Sequence, residues 1–488
     1  MGTQDQPPRK KTIDYYLCLL FVVIPLRALV VLSPIAMAVL AANQLGYAGP
    51  VLHTPLAILL LLYFAAESIF TLYYVYAKEA AQPLHPNPPQ IVTAHANRQE
   101  PMESPLAFFD KLFYHIDDIP TFFLGHFYGV PFDQLSCEDV QRWCAFCFFS
   151  KSWDQATASD RSEIDIMVAR IFEMAKRPMP PLDSTRPAHA YLQPNLEPFQ
   201  ATARPLLLYI ATLAGNFLCS MWLMACGFRS YQATKEIRYW HRPAVATETD
   251  EPLVFLHGVG IGLLTYAPFF WTLFGKESKR QILLLDMPYV AMQLADAVPD
   301  KDETLDAIWT MLRHHNIHSA HWMGHSFGSI VMSWVCQENP TVVSYLTFFD
   351  PIVFALWLHD GIYNIMYREP ATGFDLVLWY FGSQEIGIAR TMRRHLCWYE
   401  SVLFPENLPR HPETNHVLAS IFLSEKDCIV DAPAVYAHLQ RGVRSHKAPS
   451  ATPLPIQVTL WPSITHGEMV LYPSAHSDVL ATLASRAK

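Results

Sequence analysis

Gly324-His325-Ser326-Phe327-Gly328 pinches a serine between two glycines, with a strand-like run before it and a helix-like run after it. A turn that doubles back this sharply has no room for a side chain at either glycine. It lifts the serine hydroxyl onto a tip at the start of a helix. There a base can take its proton and backbone N–H groups can hold a developing oxyanion, which is what acyl transfer through a covalent intermediate requires. Upstream, Phe255-Leu256-His257-Gly258-Val259-Gly260 follows an apolar run, and its glycines let the chain bend back towards that serine.

A base and an acid must follow in the chain. Thr465-His466-Gly467 comes just after the last strand-like run, which makes His466 the candidate base among 21 histidines. Two carboxylates could orient it. Asp427 follows the penultimate strand-like run, and that loop reaches the His466 loop most directly. Asp350, after the run next to the serine turn, is the alternative acid; it could instead cap the following turn with Pro351. Glu425 is a weaker candidate, and Asp286 reads as structural.

These residues need a scaffold, and the sequence from residue 237 onward supplies its pattern. Strand-like runs fall at Ile237–Trp240, Leu253–Leu256, Ile282–Leu285, Ile317–Met323, Val343–Phe349, Val417–Leu423 and Ile456–Leu460. Several are continuously apolar, as parallel strands buried on both faces must be. Helices fit Thr304–His315, the segment after Ser326, and Ser477–Ala487. The expectation is an α/β fold with a doubly wound, mostly parallel sheet. An aromatic-rich insert from Pro351 to His416 interrupts it. The insert suits either an apolar wall or lid beside the site, or a small core of its own.

The motifs F-L-H-G, G-H-S-F-G, S-E-K-D and T-H-G, in this order, resemble the α/β-hydrolase superfamily over about the last 250 residues. R-Y-W-H-R-P ahead of L-V-F-L-H-G-V-G-I-G-L-L-T-Y further resembles large membrane-associated members from fungi and algae. The resemblance implies a nucleophile, acid and base in the order Ser326, Asp427, His466, with an oxyanion held by the amides of Val259 and Phe327. It implies carboxylic-ester cleavage through an acyl-enzyme, with no metal or organic cofactor. The same triad could serve an acyltransferase, although no separate H-x-x-x-x-D signature is present. A non-catalytic binding protein on this fold is the third reading.

The whole chain bounds the setting. Hydrophobic residues make up 51% and charged residues only 16% of 488, a balance that points to a membrane. The net charge of -9 and the lack of a basic stripe argue against nucleic acid. The expected partners are an apolar ester and membrane lipid, at the endoplasmic reticulum or a lipid droplet. Tyr15–Ala42 and Pro55–Ala77 are apolar runs long enough to cross a bilayer. Arg27 and Glu67 interrupt them and are expected to snorkel or pair with each other. Arg9-Lys10-Lys11 argues for a cytosolic N-terminus. A third run, Pro205–Phe228, could span or pack as a helix on the next domain, and the choice decides which side the site faces. Three regions result: an anchor over 1–80, a linker and helical region over 81–204, and the α/β domain over 205–488, with its insert at 351–416. Nine scattered cysteines read as free thiols, and Cys137, Cys144 and Cys147 lack the partners of a zinc site.

Overall fold

The computed structural model describes residues 9–45, 55–83, 104–181, 188–245, 251–443 and 454–484. Of the linker and helical region expected over 81–204, residues 84–103 and 182–187 lie outside them, as do residues 485–487 of the helix expected over Ser477–Ala487.

Eight strands form one sheet: β1 (Arg229–Gln232), β2 (Arg238–Arg242), β3 (Leu253–Leu256), β4 (Ile282–Asp286), β5 (Ala320–His325), β6 (Val343–Phe349), β7 (Ala419–Ser424) and β8 (Gln457–Trp461). Their spatial order is β1-β2-β4-β3-β5-β6-β7-β8. β3 to β8 are parallel, while β2 runs antiparallel to both β1 and β4. The doubly wound, mostly parallel expectation holds. The apolar runs of β3 and β4 serve two faces at once. Val254, Leu256, Leu283 and Leu285 enter one core, and Leu253, Phe255, Ile282 and Leu284 the other. This alternation is why Leu253–Leu256 and Ile282–Leu285 carry no polar position.

Two details differ from the sequence reading. The strand expected from Ile317 begins at Ala320, because Asn316 turns left-handed and the Ile317 N–H closes onto the Leu312 carbonyl at 2.9 Å. That is a helix C-terminal signature rather than a strand start. β1 was not anticipated: Arg-Ser-Tyr-Gln is polar and largely exposed, as an edge strand can be.

Helices flank the sheet. In chain order they are α1 (Ile13–Gln44), α2 (Pro55–Ala80), α3 (Pro105–Tyr114), α4 (Ile119–His126), α5 (Cys137–Phe149), α6 (Ala158–Met174), α7 (Leu206–Ala225), α8 (Ala267–Lys276), α9 (Lys301–His314) and α10 (Phe327–Glu338). The insert contributes α11 (His359–Met366), α12 (Gly373–Val377) and further short turns, and α13 (Ala432–Gln440) and α14 (Pro473–Ala484) complete the set. Side-chain caps at Ser104, Asp118, Ser136 and Thr157 start α3 to α6. These four helices share one continuous core with a face of the sheet.

α1, α2 and α7 are each long and apolar enough to cross a membrane, by length and composition. The expected Arg27–Glu67 pair does not form. The Glu67 carboxylate instead accepts the Leu206 N–H at 2.9 Å with each oxygen, capping α7, and accepts from the Tyr63 hydroxyl at 3.2 Å. The correction has a simple cause: an unpaired amide at a helix start is a closer partner than a side chain on another helix. α7 buries Tyr209, Thr212, Cys219 and Leu223 and leaves its opposite face apolar and exposed.

Candidate active site

The loops that leave the carboxyl ends of β3, β5, β6, β7 and β8 converge, and every candidate residue lies on one of them. Ser326 sits between β5 and α10 with φ +50° and ψ -117°. A non-glycine residue adopts such angles only when its surroundings hold it there. The holders are visible. The Ser326 N–H donates to the Phe349 carbonyl at 3.0 Å, and the Ser326 carbonyl accepts the Ser329 N–H at 2.9 Å. A Cβ on Gly328 would collide with the Leu256 carbonyl, so this glycine lets α10 start directly against β3.

The Ser326 hydroxyl donates to His466 Nε2 at 2.8 Å. His466 Nδ1 donates to Asp427 Oδ2 at 2.6 Å. The other Asp427 oxygen accepts the amides of Ile429 at 2.7 Å and Val430 at 3.1 Å, which fixes the carboxylate plane. Both side chains are nearly enclosed. Burial disfavours the charged imidazole, but the charge and hydrogen bond of Asp427, with the charge of Asp350, outweigh it. His466 is held above the ordinary histidine value.

Asp350 does not bond to His466. Fully buried, with φ +41°, it accepts the Ser424 N–H and the Gly467 N–H, both at 2.8 Å. It ties the start of the Asp427 loop to the His466 loop. Burial first, and then the charge of Asp427, raise its own carboxyl. Glu425 points elsewhere and accepts the Ser463 N–H at 3.1 Å. Asp286 pairs with Arg238. Asp350, Asp427 and His466 have ligand atoms within 4.8 Å of one another, the one such grouping among the described residues. His466 has both ring nitrogens engaged by Ser326 and Asp427, so it offers a cation no free lone pair.

Val259 borders the same space as Ser326 and His466. Among the described residues, neither the Val259 nor the Phe327 N–H donates to a backbone carbonyl outside its own helix or strand. The Gly258 turn lies so close to the elbow that a Cβ there would stand 2.9 Å from the Ser326 Cβ. Sequence reasoning missed what holds this turn. The Tyr266 hydroxyl accepts the Gly258 N–H at 2.8 Å and donates to His325 Nδ1 at 2.6 Å. His325, the residue before the serine in the pentapeptide, thereby links the turn to the elbow. Burial keeps it neutral, well below the usual histidine value. His257 is structural: Nδ1 donates to the Gly258 carbonyl and Nε2 accepts the Met287 N–H. Tyr266 closes the quoted run L-V-F-L-H-G-V-G-I-G-L-L-T-Y, but nothing in that run assigns its hydroxyl to the turn; the fold does.

A cavity of about 300 Å³ opens from Ser326 and His466, and its walls are mainly apolar. Of the insert's aromatic residues, Phe354, Trp357, Phe374 and Trp398 line it, whereas Tyr380 and Phe404 are packed away inside. The insert is both wall and core.

Strand order, a nucleophile-type elbow after the fifth strand and a site at the carboxyl edge of the sheet decide the architecture. The fold is that of the α/β-hydrolases. No protein-family model matches this chain, and no curated protein matches it in sequence. Among solved structures, carboxylesterase CesB from Bacillus subtilis is 11% identical with a TM-score of 0.38, over 56% of this chain and 98% of its own. Naproxen esterase from Bacillus subtilis is 13% identical with a TM-score of 0.37, over 55% and 96%. A membrane phospholipase A described as a bacterial virulence factor is 13% identical with a TM-score of 0.35, over 57% and 96%.

Proposed function

We propose that this α/β-hydrolase-fold protein is a membrane-associated serine hydrolase that cleaves carboxylic esters of apolar acids. The observation that carries the reading is the hydrogen-bonded chain Ser326–His466–Asp427 opening onto an apolar cavity. His466 takes the Ser326 proton as the oxygen attacks the ester carbonyl. The amides of Val259 and Phe327 receive the oxyanion, and His466 returns the proton to the departing alcohol. Water, deprotonated by His466, then attacks the acyl-enzyme; the acid leaves and Ser326 regains its proton. Three apolar helices supply the membrane attachment. The test is covalent labelling by a fluorophosphonate. The intact protein labels at Ser326, and Ser326→Ala neither labels nor hydrolyses esters. Failure of the folded wild type to label, beside a control hydrolase that does, overturns the proposal. An acyltransferase would label equally; products formed with and without an added acceptor alcohol separate the two.

A further inference from the structure

The cavity is not built by the α/β domain alone. Its lining includes Phe122 and His126 of α4 and Trp143, Phe146 and Cys147 of α5, more than 170 residues before Ser326 in the chain. Hydrogen bonds lock these helices to the insert at the cavity wall. His126 Nε2 donates to the Trp357 carbonyl at 3.0 Å, and the Trp398 indole N–H donates to the Cys147 carbonyl at 3.1 Å. Exposure along the lining gives the cavity a direction. Phe374 on α12 is 47% exposed, at a rim beside α1, whereas Trp143 is 1% exposed. Behind Trp143 stand the rings of Phe113, Phe123 and Phe148, so the α4–α5 end is closed by a packed aromatic core.

From this closed end we infer that α4 and α5 are the floor of an acyl-chain site and set the length of the acyl group that Ser326 accepts. The inference rests on the hydrolase reading above and adds the substrate class: esters whose aliphatic acyl chain is long enough to reach from Ser326 to that floor. The acyl tail points from Ser326 towards Trp143, and the alcohol part remains on the rim side. His126 does not disturb an apolar tail. Burial lowers it to about 3, so the ring is neutral at physiological pH, and its Nε2 proton is committed to Trp357.

The experiment compares kcat/KM for p-nitrophenyl esters from two to sixteen carbons in the full-length protein, in detergent. Wild type is expected to gain roughly threefold per added methylene until the chain meets the floor, and then to level off or fall. Cys147→Phe raises the floor and lowers the decanoyl-to-butyryl ratio at least tenfold. Phe122→Ala deepens it and moves the optimum up by about two carbons. Ratios within twofold of wild type in both variants, or a wild type that prefers acetyl esters, overturn the inference. If a variant does not fold, labelling rates of the wild type with ethyl to dodecyl fluorophosphonates decide it. Rates that rise with chain length and then level off support the floor, and rates independent of chain length reject it while leaving the Ser326 reading intact. No labelling at any length rejects the hydrolase reading itself.

Discussion

His466 stands between opposing influences: burial against its charge, and two carboxylates for it. The balance leaves the ring above the ordinary histidine value, and the sign of the pH dependence follows. A general base works only when neutral, so kcat/KM should fall as pH drops through the His466 titration, with the midpoint of that acid limb above the usual histidine value. The two carboxylates should part company on mutation. Asp427→Asn replaces the acceptor at Nδ1 with a group that favours the wrong tautomer, and kcat should fall about 10⁴-fold. Asp350→Asn removes a charge that helps to hold His466 up but no bond to the ring, so its acid limb should move to lower pH while kcat survives far better than in Asp427→Asn. A pH–rate profile of both variants checks this. The reverse pattern would make Asp350 the orienting acid. The distinction could not be settled from the sequence, because both aspartates follow strands and both loops reach the same edge of the sheet.

The elements around the serine were legible for physical reasons, and the exceptions have reasons too. β3 and the first four residues of β4 are continuously apolar because both sides of the sheet are covered, and such runs stand out in a sequence. β1 is an exposed polar edge and does not. The glycines at 324 and 328 announced a tight turn, and the structure gives the contact behind one of them. Gly328 passes against the Leu256 carbonyl, so Gly328→Ala should push α10 off β3. The strain falls on backbone and not on a flexible side chain. The expected outcome is a loss of about 1–3 kcal/mol in stability, seen as a lower unfolding midpoint, together with loss of fluorophosphonate labelling. What stayed hidden was everything that depends on distant segments meeting. No spacing rule connects Trp143 to Ser326, or Tyr266 to Gly258, because those contacts arise from how α5 and the 262–266 turn pack and not from local pattern.

Across the whole molecule, the apolar helices are fastened to the parts that shape the site. The Thr12 N–H donates to the Ala371 carbonyl at 3.0 Å, and the Gly373 N–H donates to Asp14 Oδ2 at 2.6 Å, so the start of α1 is tied to α12 of the insert. α2 is tied to α7 through Glu67, and α7 in turn packs on the 262–266 turn that carries Tyr266. A buried carboxylate in an apolar helix reads from sequence as half of an ion pair, and that reading makes Arg27 and Glu67 equally necessary. The geometry separates them. Glu67→Ala strands the Leu206 N–H where water cannot replace the lost acceptor, which should cost about 1–3 kcal/mol. Glu67→Gln keeps one acceptor oxygen and should lie between. Arg27 is exposed and makes no ion pair with Glu67, so Arg27→Leu should leave the unfolding temperature in detergent where it was. Equal destabilisation by Glu67→Ala and Arg27→Leu would restore the ion pair. A drop confined to the Glu67 variants would mean that α2 holds the start of α7, and through it the wall beside Ser326.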